Sequence, residues 1–145
     1  MAKVNNCDIP EELYYFVEKH IWLRPEPDGL ITLGMTDVAQ RLAGKVIVFT
    51  AKKPGRAIAK SQSVATIESS KWVGPVPSPI NAEIVEANES LRGAPTLLNQ
   101  DPYGAGWIVK LRAADWAADS ADLVTGEQGV EAYRQALDAQ GITCP

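Results

Sequence analysis

A chain of 145 residues is long enough for one compact core and short for two, so a single domain with added terminal elements is expected. Its 46% hydrophobic and 22% charged residues are the composition of a soluble globular protein. A net charge of −4 and an isoelectric point near 5.0 give no general attraction to phosphate backbones or anionic lipid, which argues against nucleic acid and membrane surfaces as partners.

The first residues, Met1 to Asp8, hold no apolar leader core, and no stretch reaches bilayer-spanning length; a cytoplasmic location is expected. Tyr14 to Leu23 is rich in aromatic and branched residues and stops at Pro25-Glu26-Pro27-Asp28-Gly29, the pattern of a strand entering a turn. Leu30 to Gly34 is a short returning strand. Thr36 then offers a hydroxyl N-cap, with Asp37 in the first turn and Gly44 as a stop, for a helix of about two turns. Val46 to Phe49 is an apolar strand turned by Lys53-Pro54-Gly55.

Ser63 to Glu68 alternates and leads into a turn carrying Lys71. Prolines at 75, 77 and 79 share one side of an extended chain, and that side cannot carry a ladder, so an edge, a bend or an exposed arm is expected there. Ala82 to Ala87 resumes a strand pattern. Pro95 to Leu98 reads as one helical turn, Asp101 to Gly104 as a loop, and Gly106 to Leu111 as a strand. From about Asp119 the pattern is helical, with Val130, Tyr133 and Leu137 on one face, Thr125 and Gln128 spaced as a capping box, and Gly141 suited to end it. Short strands with frequent turns predict a mainly β fold of two packed antiparallel sheets with minor helix.

Charge is uneven along the chain. Lys45, Lys52, Lys53, Arg56 and Lys60 form a basic run, whereas Asp115 to Asp138 is mostly acidic. Two solvated surfaces would account for this, and so would a basic patch that steers an acidic partner toward Lys71. Two cysteines are too few for a disulfide framework, and with one histidine they cannot fill a usual structural zinc site without carboxylates, so no metal is expected. Cys7 and Cys144 lie near opposite ends of the chain. They are either exposed reduced thiols or a pair, bonded or redox-active.

Several segments carry a resemblance in the correct order. Ile9-Pro10-Glu11-Glu12-Leu13, Glu18-Lys19-His20-Ile21-Trp22, Gly34-Met35-Thr36-Asp37-Val38-Ala39-Gln40 and Asn99-Gln100-Asp101-Pro102-Tyr103-Gly104-Ala105-Gly106-Trp107 look like the glycine cleavage system H protein, and Glu68-Ser69-Ser70-Lys71 resembles its lipoyl-lysine site. The similarity spans residues 9–116, with a helical extension over 119–141. It implies a lipoyl-domain fold, a barrel-sandwich hybrid, in a monomeric carrier rather than an enzyme. Lipoate would be amide-linked to Lys71 by a lipoate ligase or lipoyl synthase, with Glu68, Ser70 and Trp72 in the recognised turn. An isolated lysine is usually an ordinary surface residue, and the family context reverses that reading. Biotin carriers typically flank their lysine with methionines; Ser70 and Trp72 stand here instead.

Departures from the pattern are informative. The family usually has Val-Lys-Ala at the tip and a glutamate after the histidine, where this chain has Ser70-Lys71-Trp72 and His20-Ile21. These features look more like the lipoate-binding proteins of the sulfur-oxidising heterodisulfide-reductase-like pathway, similar in fold to the H protein. That resemblance implies sulfur-transfer and heterodisulfide-reductase-like enzymes as partners. Glycine cleavage enzymes are the alternative set, and an unmodified binding module is a third reading. His20 is either a satisfied structural side chain or a contact of the lipoyl arm. Trp72 is either an inward anchor or a partner-binding aromatic.

Overall fold

The structure, a computed structural model, describes residues 2–145. Lys3–Val4 (β1) and Cys7–Asp8 (β2) pair around Asn5 and Asn6, whose φ angles are 49° and 66°. Asparagine tolerates that region, and two such residues in succession match the twist of the strands they join.

Tyr14–Phe16 (β3), a 3-10 turn over Val17–Lys19, and Ile21–Pro25 (β4) follow. The single strand expected over Tyr14 to Leu23 is therefore two strands. His20 at φ 57° reverses the chain, and Tyr14 pairs with Leu23 across the resulting hairpin. Apolar character runs through both arms without glycine or proline between them, so the pattern carried no mark of the reversal.

Ile31–Met35 (β5) leads into Asp37–Ala43 (α1), where Thr36 Oγ1 accepts from the Ala39 N–H at 3.2 Å and Gly44, at φ 79°, ends the helix as expected. Val46–Ala51 (β6), Ala57–Ile58 (β7), Ser63–Ser69 (β8), Val73–Pro77 (β9) and Ala82–Ala87 (β10) come next. A three-stranded sheet has the order β6-β8-β9, so the proline-bearing β9 is an edge strand whose other side is unpaired.

Ser90–Gly93 (α2), Leu97–Gln100 (α3) and Val109–Ala113 (β11) continue the chain. The strand expected from Gly106 starts later, because Gly106 is packed into a turn. Its N–H donates to Asp101 O at 2.8 Å, and a Cβ there would come within 2.5 Å of Leu97 O. The helix expected from Asp119 is also interrupted, by Trp116–Ser120 (α4) and Val124–Thr125 (β12), before Gly126–Gln140 (α5). Thr125 makes no side-chain cap bond, so the expected capping box is not formed; its hydroxyl donates to Leu13 O at 2.7 Å. Gly141, at φ 67°, closes α5 with its N–H on Asp138 O.

The larger sheet has the order β12-β3-β4-β5-β11-β10-β7, and all its pairs are antiparallel. Leu23, Leu33, Val64, Ile67, Ile84 and Leu111 fill the main core of this mainly β sandwich. A second core, of Val4, Ile9, Tyr15, Trp22, Tyr133 and Leu137, seats α5. Trp22 lies against Gly34, where a Cβ would approach the indole to 2.4 Å, and donates to Met35 O and Pro102 O. Cys7 and Cys144 are buried in this core and disulfide-bonded across 137 residues, which rules out the exposed-thiol reading. No helix among the described residues is long and apolar enough to cross a membrane.

Candidate functional site

The turn between β8 and β9 is built from buried to exposed residues. Along β8, Ala65, Ile67 and Ser69 point inward and Thr66 and Glu68 outward. The Ser69 hydroxyl donates to Ala43 O at 2.5 Å, lies 3.1 Å from Trp72 O and accepts from the Lys71 N–H at 3.3 Å. Backbone bonds from Ser69 to Trp72 O and from Ser70 to Lys45 O complete the anchor. Ser70 and Lys71 are thus exposed on a tip whose base is bolted to the end of α1.

Gly44 is the bearing surface for Lys71. A Cβ at this residue would fall 3.0 Å from Lys71 Cε and 3.4 Å from Lys71 Cγ, so the missing side chain leaves a saddle for the lysine stem. Trp72 is 40% exposed and lies over Gly74, where a Cβ would sit 2.2 Å from the indole Cζ2. One face of Trp72 is packed and the other is open. Glu68 stands on the outer face of β8 in a row with Val48 and Val73. Leu42, Ile47, Val48, Trp72 and Val73 are the exposed large hydrophobic residues of the described chain, and all lie at the tip or on the elements beside it.

Three grooves adjoin this tip. One of about 220 Å³ is lined by Lys19, His20, Met35, Ala39, Leu42 and Trp72 among others. A second, of about 330 Å³, shares Lys19, Met35 and Trp72 and extends to Pro75 and Pro77. The third, of about 690 Å³, runs from Gly44 and Lys45 past Thr96 and Asn99 to the C-terminal tail. His20 is half-buried, with Nδ1 3.1 Å from the Tyr133 hydroxyl, and burial holds its imidazole below the ordinary histidine range. Burial likewise pushes the Tyr133 phenol up. His20 is thus an uncharged wall of the first groove, braced by α5.

The basic run divides. Lys45 is at the tip, but β6 carries the chain away from it, so Lys52, Lys53 and Arg56 lie toward the opposite end, and Lys60 pairs with Asp122 at 2.7 Å. Lys19 and Arg41, outside the run, join Lys45 around the grooves. The run from Lys45 to Lys60 therefore does not assemble as one patch beside the tip, and Arg41 is held by Asp37 at 3.1 Å. The direction of β6 sends the sequence neighbours of Lys45 away from the tip.

A family model for the "Glycine cleavage H-protein" matches residues 13–136. The chain belongs to the glycine cleavage H-protein family. It is 45% identical to "Glycine cleavage system H protein 2" of Aquifex aeolicus over 144 residues, covering 99% of this chain and 89% of the relative. It is also 45% identical to "Glycine cleavage system H protein 5" of the same organism, covering 99% of each. The crystal structure of a glycine cleavage system H protein from Mycobacterium marinum superposes with a TM-score of 0.75 at 27% identity, covering 92% of this chain and all of that one.

Members of the glycine cleavage H-protein family are carriers rather than catalysts and bear a covalently attached lipoate on a lysine. The residues present fit such a group: an exposed amine on a rigid tip, a glycine saddle beneath its stem, and grooves for an elongated apolar arm. Sequence reasoning missed Gly44, Ser69 and Gly74 as parts of the site. Ser69 had a signal, because strand alternation places it with Ala65 and Ile67 on the inward face.

Proposed function

We propose that Lys71 carries lipoate in amide linkage, and that the arm shuttles sulfur intermediates between cytoplasmic enzymes of heterodisulfide-reductase-like sulfur oxidation. Amide formation replaces a charged ammonium by an uncharged group, so the stem can lie on apolar surface at little desolvation cost. When bound, lipoate supplies a dithiol and disulfide couple that is both a nucleophile and a two-electron carrier. Ser69 and Gly44 orient the stem, and Glu68, Ser70 and Trp72 present the turn to a lipoate ligase or lipoyl synthase. Leu42, Ile47, Val48, Trp72 and Val73 form an apolar collar that partner enzymes cover while the arm is inside them.

Groove chemistry carries the choice of cargo. Among the described residues, no aspartate or glutamate side chain lines any of the three grooves beside the tip, whereas Lys19, Arg41 and Lys45 do. Asp37 holds Arg41 at 3.1 Å, so Lys19 and Lys45 supply the free positive charge of these walls, and an aminomethyl cargo, an ammonium at neutral pH, is repelled by them. A thiolate, persulfide or oxidised sulfur anion is drawn to them.

The second reading is aminomethyl transfer between glycine decarboxylase, aminomethyltransferase and dihydrolipoamide dehydrogenase, and the relatives' names favour it. Intact mass after production with a lipoate ligase is read first; no lipoyl addition at Lys71 leaves an unmodified binding module. The lipoylated protein is then given glycine with glycine decarboxylase, or a sulfurtransferase with its sulfur donor. Sulfur adducts on the arm with little aminomethyl loading are expected, and efficient aminomethyl loading would overturn the sulfur assignment.

A further inference from the structure

We propose that the Cys7–Cys144 disulfide is a redox site that exchanges electrons with the lipoyl arm of the same chain, an inference that rests on lipoylation of Lys71. The largest groove begins at Gly44, on which the Lys71 stem lies, and ends at Cys144. One continuous depression therefore joins the base of the arm to the disulfide. Cys144 lines the groove and Cys7 does not, so Cys144 is the cysteine an arm in the groove meets, and because both are buried the attack requires the C-terminal tail to open locally. Lys45 lines the same path and favours the thiolate that must travel it.

The pair is also arranged to survive cleavage. Cys144 N–H donates to Asn5 O at 2.9 Å, and the Asn6 side-chain amide donates to Cys144 O and Pro145 O. Asn5 Nδ2 donates to Ile142 O and Asp138 Oδ1. With the sulfur bond open, these contacts hold tail and hairpin together, and Cys7 Sγ has the Asn5 carbonyl 3.7 Å away as an acceptor for its proton. The two thiols stay opposed and ready to reclose. Disulfides in reducing compartments are usually transient or redox-sensing, which suits such a pair.

In the exchange, a thiolate of the reduced arm attacks Cys144 Sγ and Cys7 leaves as a thiolate. The second arm sulfur then displaces Cys144. The Cys7–Cys144 bond is broken, a bond between the two arm sulfurs is formed, and two electrons pass from arm to cysteines. The two arm protons end on the cysteine sulfurs. The reverse sequence reoxidises the pair, so no outside oxidant enters the balance.

The test compares lipoylated protein with its Lys71→Arg variant in anaerobic dithiothreitol redox buffers at about 0.1 mM. Samples are acid-quenched, alkylated and read by peptide mass, which scores arm and cysteines separately. An arm tethered beside the groove acts at an effective concentration on the order of 1 mM, so the pair should interconvert about tenfold faster in the lipoylated chain. Equal rates in the two proteins, with the lipoyl mass present at Lys71, would overturn the exchange. Absence of that mass would instead overturn the lipoylation reading beneath it. Thr96→Trp, which narrows the groove away from the lysine, should reduce the rate advantage while leaving the arm fully alkylatable; an undiminished advantage counts against the route.

Discussion

The indole of Trp72 and the missing side chain of Gly74 are two halves of one contact, and a double-mutant cycle isolates it. In Gly74→Ala the new Cβ would lie 2.2 Å from Cζ2, 2.7 Å from Cε2 and 2.8 Å from Cη2 of Trp72, so the indole must move. The backbone at Gly74 is not in the left-handed region and accepts alanine. An indole with 40% exposure has roughly 140 Å² packed away, worth about 3.5 kcal/mol at ~25 cal/mol/Å² if all of it returned to water. Partial adjustment of a flexible side chain brings the expected loss to about 1–3 kcal/mol. In a Trp72→Ala background nothing opposes the methyl group, and the same substitution should be neutral or stabilise by about 0.4–1 kcal/mol through the unfolded state. Urea unfolding of the four proteins measures the cycle. A Gly74→Ala effect of the same size in both backgrounds would refute the claim that Gly74 exists to seat the indole. Once fully lipoylated, both Trp72→Ala and Gly74→Ala should also slow transfer to a partner enzyme, and unimpaired transfer would show that the indole is not a partner contact.

Ser69→Ala removes a hydroxyl that serves Ala43 O, Trp72 O and the Lys71 N–H. It should cost about 1–3 kcal/mol and lower Tm by roughly 3–10 °C, with slower lipoylation, whereas exposed Ser70→Ala stays within about 0.5 kcal/mol. Lys71→Arg should abolish the lipoyl mass without altering the urea midpoint, because the side chain is exposed and anchors nothing. His20 is the only histidine, so its ring proton resonances report one site. They should titrate below the ordinary value near 6.5. The folded state then binds fewer protons than the unfolded one in mildly acidic solution, so the contribution of His20 is complete above about pH 6.5 and declines as pH falls toward its folded pKa. A midpoint at or above 6.5, or stability that rises on acidification through that window, contradicts the burial assigned to it.

Local chemistry made much of this fold legible. The hydroxyl of Thr36, the glycines at 44 and 141 and the proline spacing each act within a few residues of themselves, and each does what its chemistry implies. What stayed hidden depended on partners distant in the chain. Thr125 has a capping spacing but meets Leu13 O first. Gly106 has strand-like neighbours but is held by Leu97 and Asp101. At the site the same division holds: Lys71 was visible through its motif, whereas the saddle that Gly44 offers its stem exists only once α1 and the β8–β9 hairpin are side by side. The pairing of Cys7 with Cys144 likewise needed α5 to return the tail to the N-terminal hairpin.

The prolines of β9 bear on how a client can hold this molecule. A free strand edge beside the arm would recruit a client's backbone into a shared sheet, and such ladders let go slowly. Pro75 and Pro77 remove two donors from that edge, so a client strand cannot complete a regular ladder along β9. Side-chain contacts form and dissolve within each cycle, and turnover in a relay depends on departure as much as on arrival. The edge prolines thus favour short residence times for a molecule that must visit several enzymes in turn.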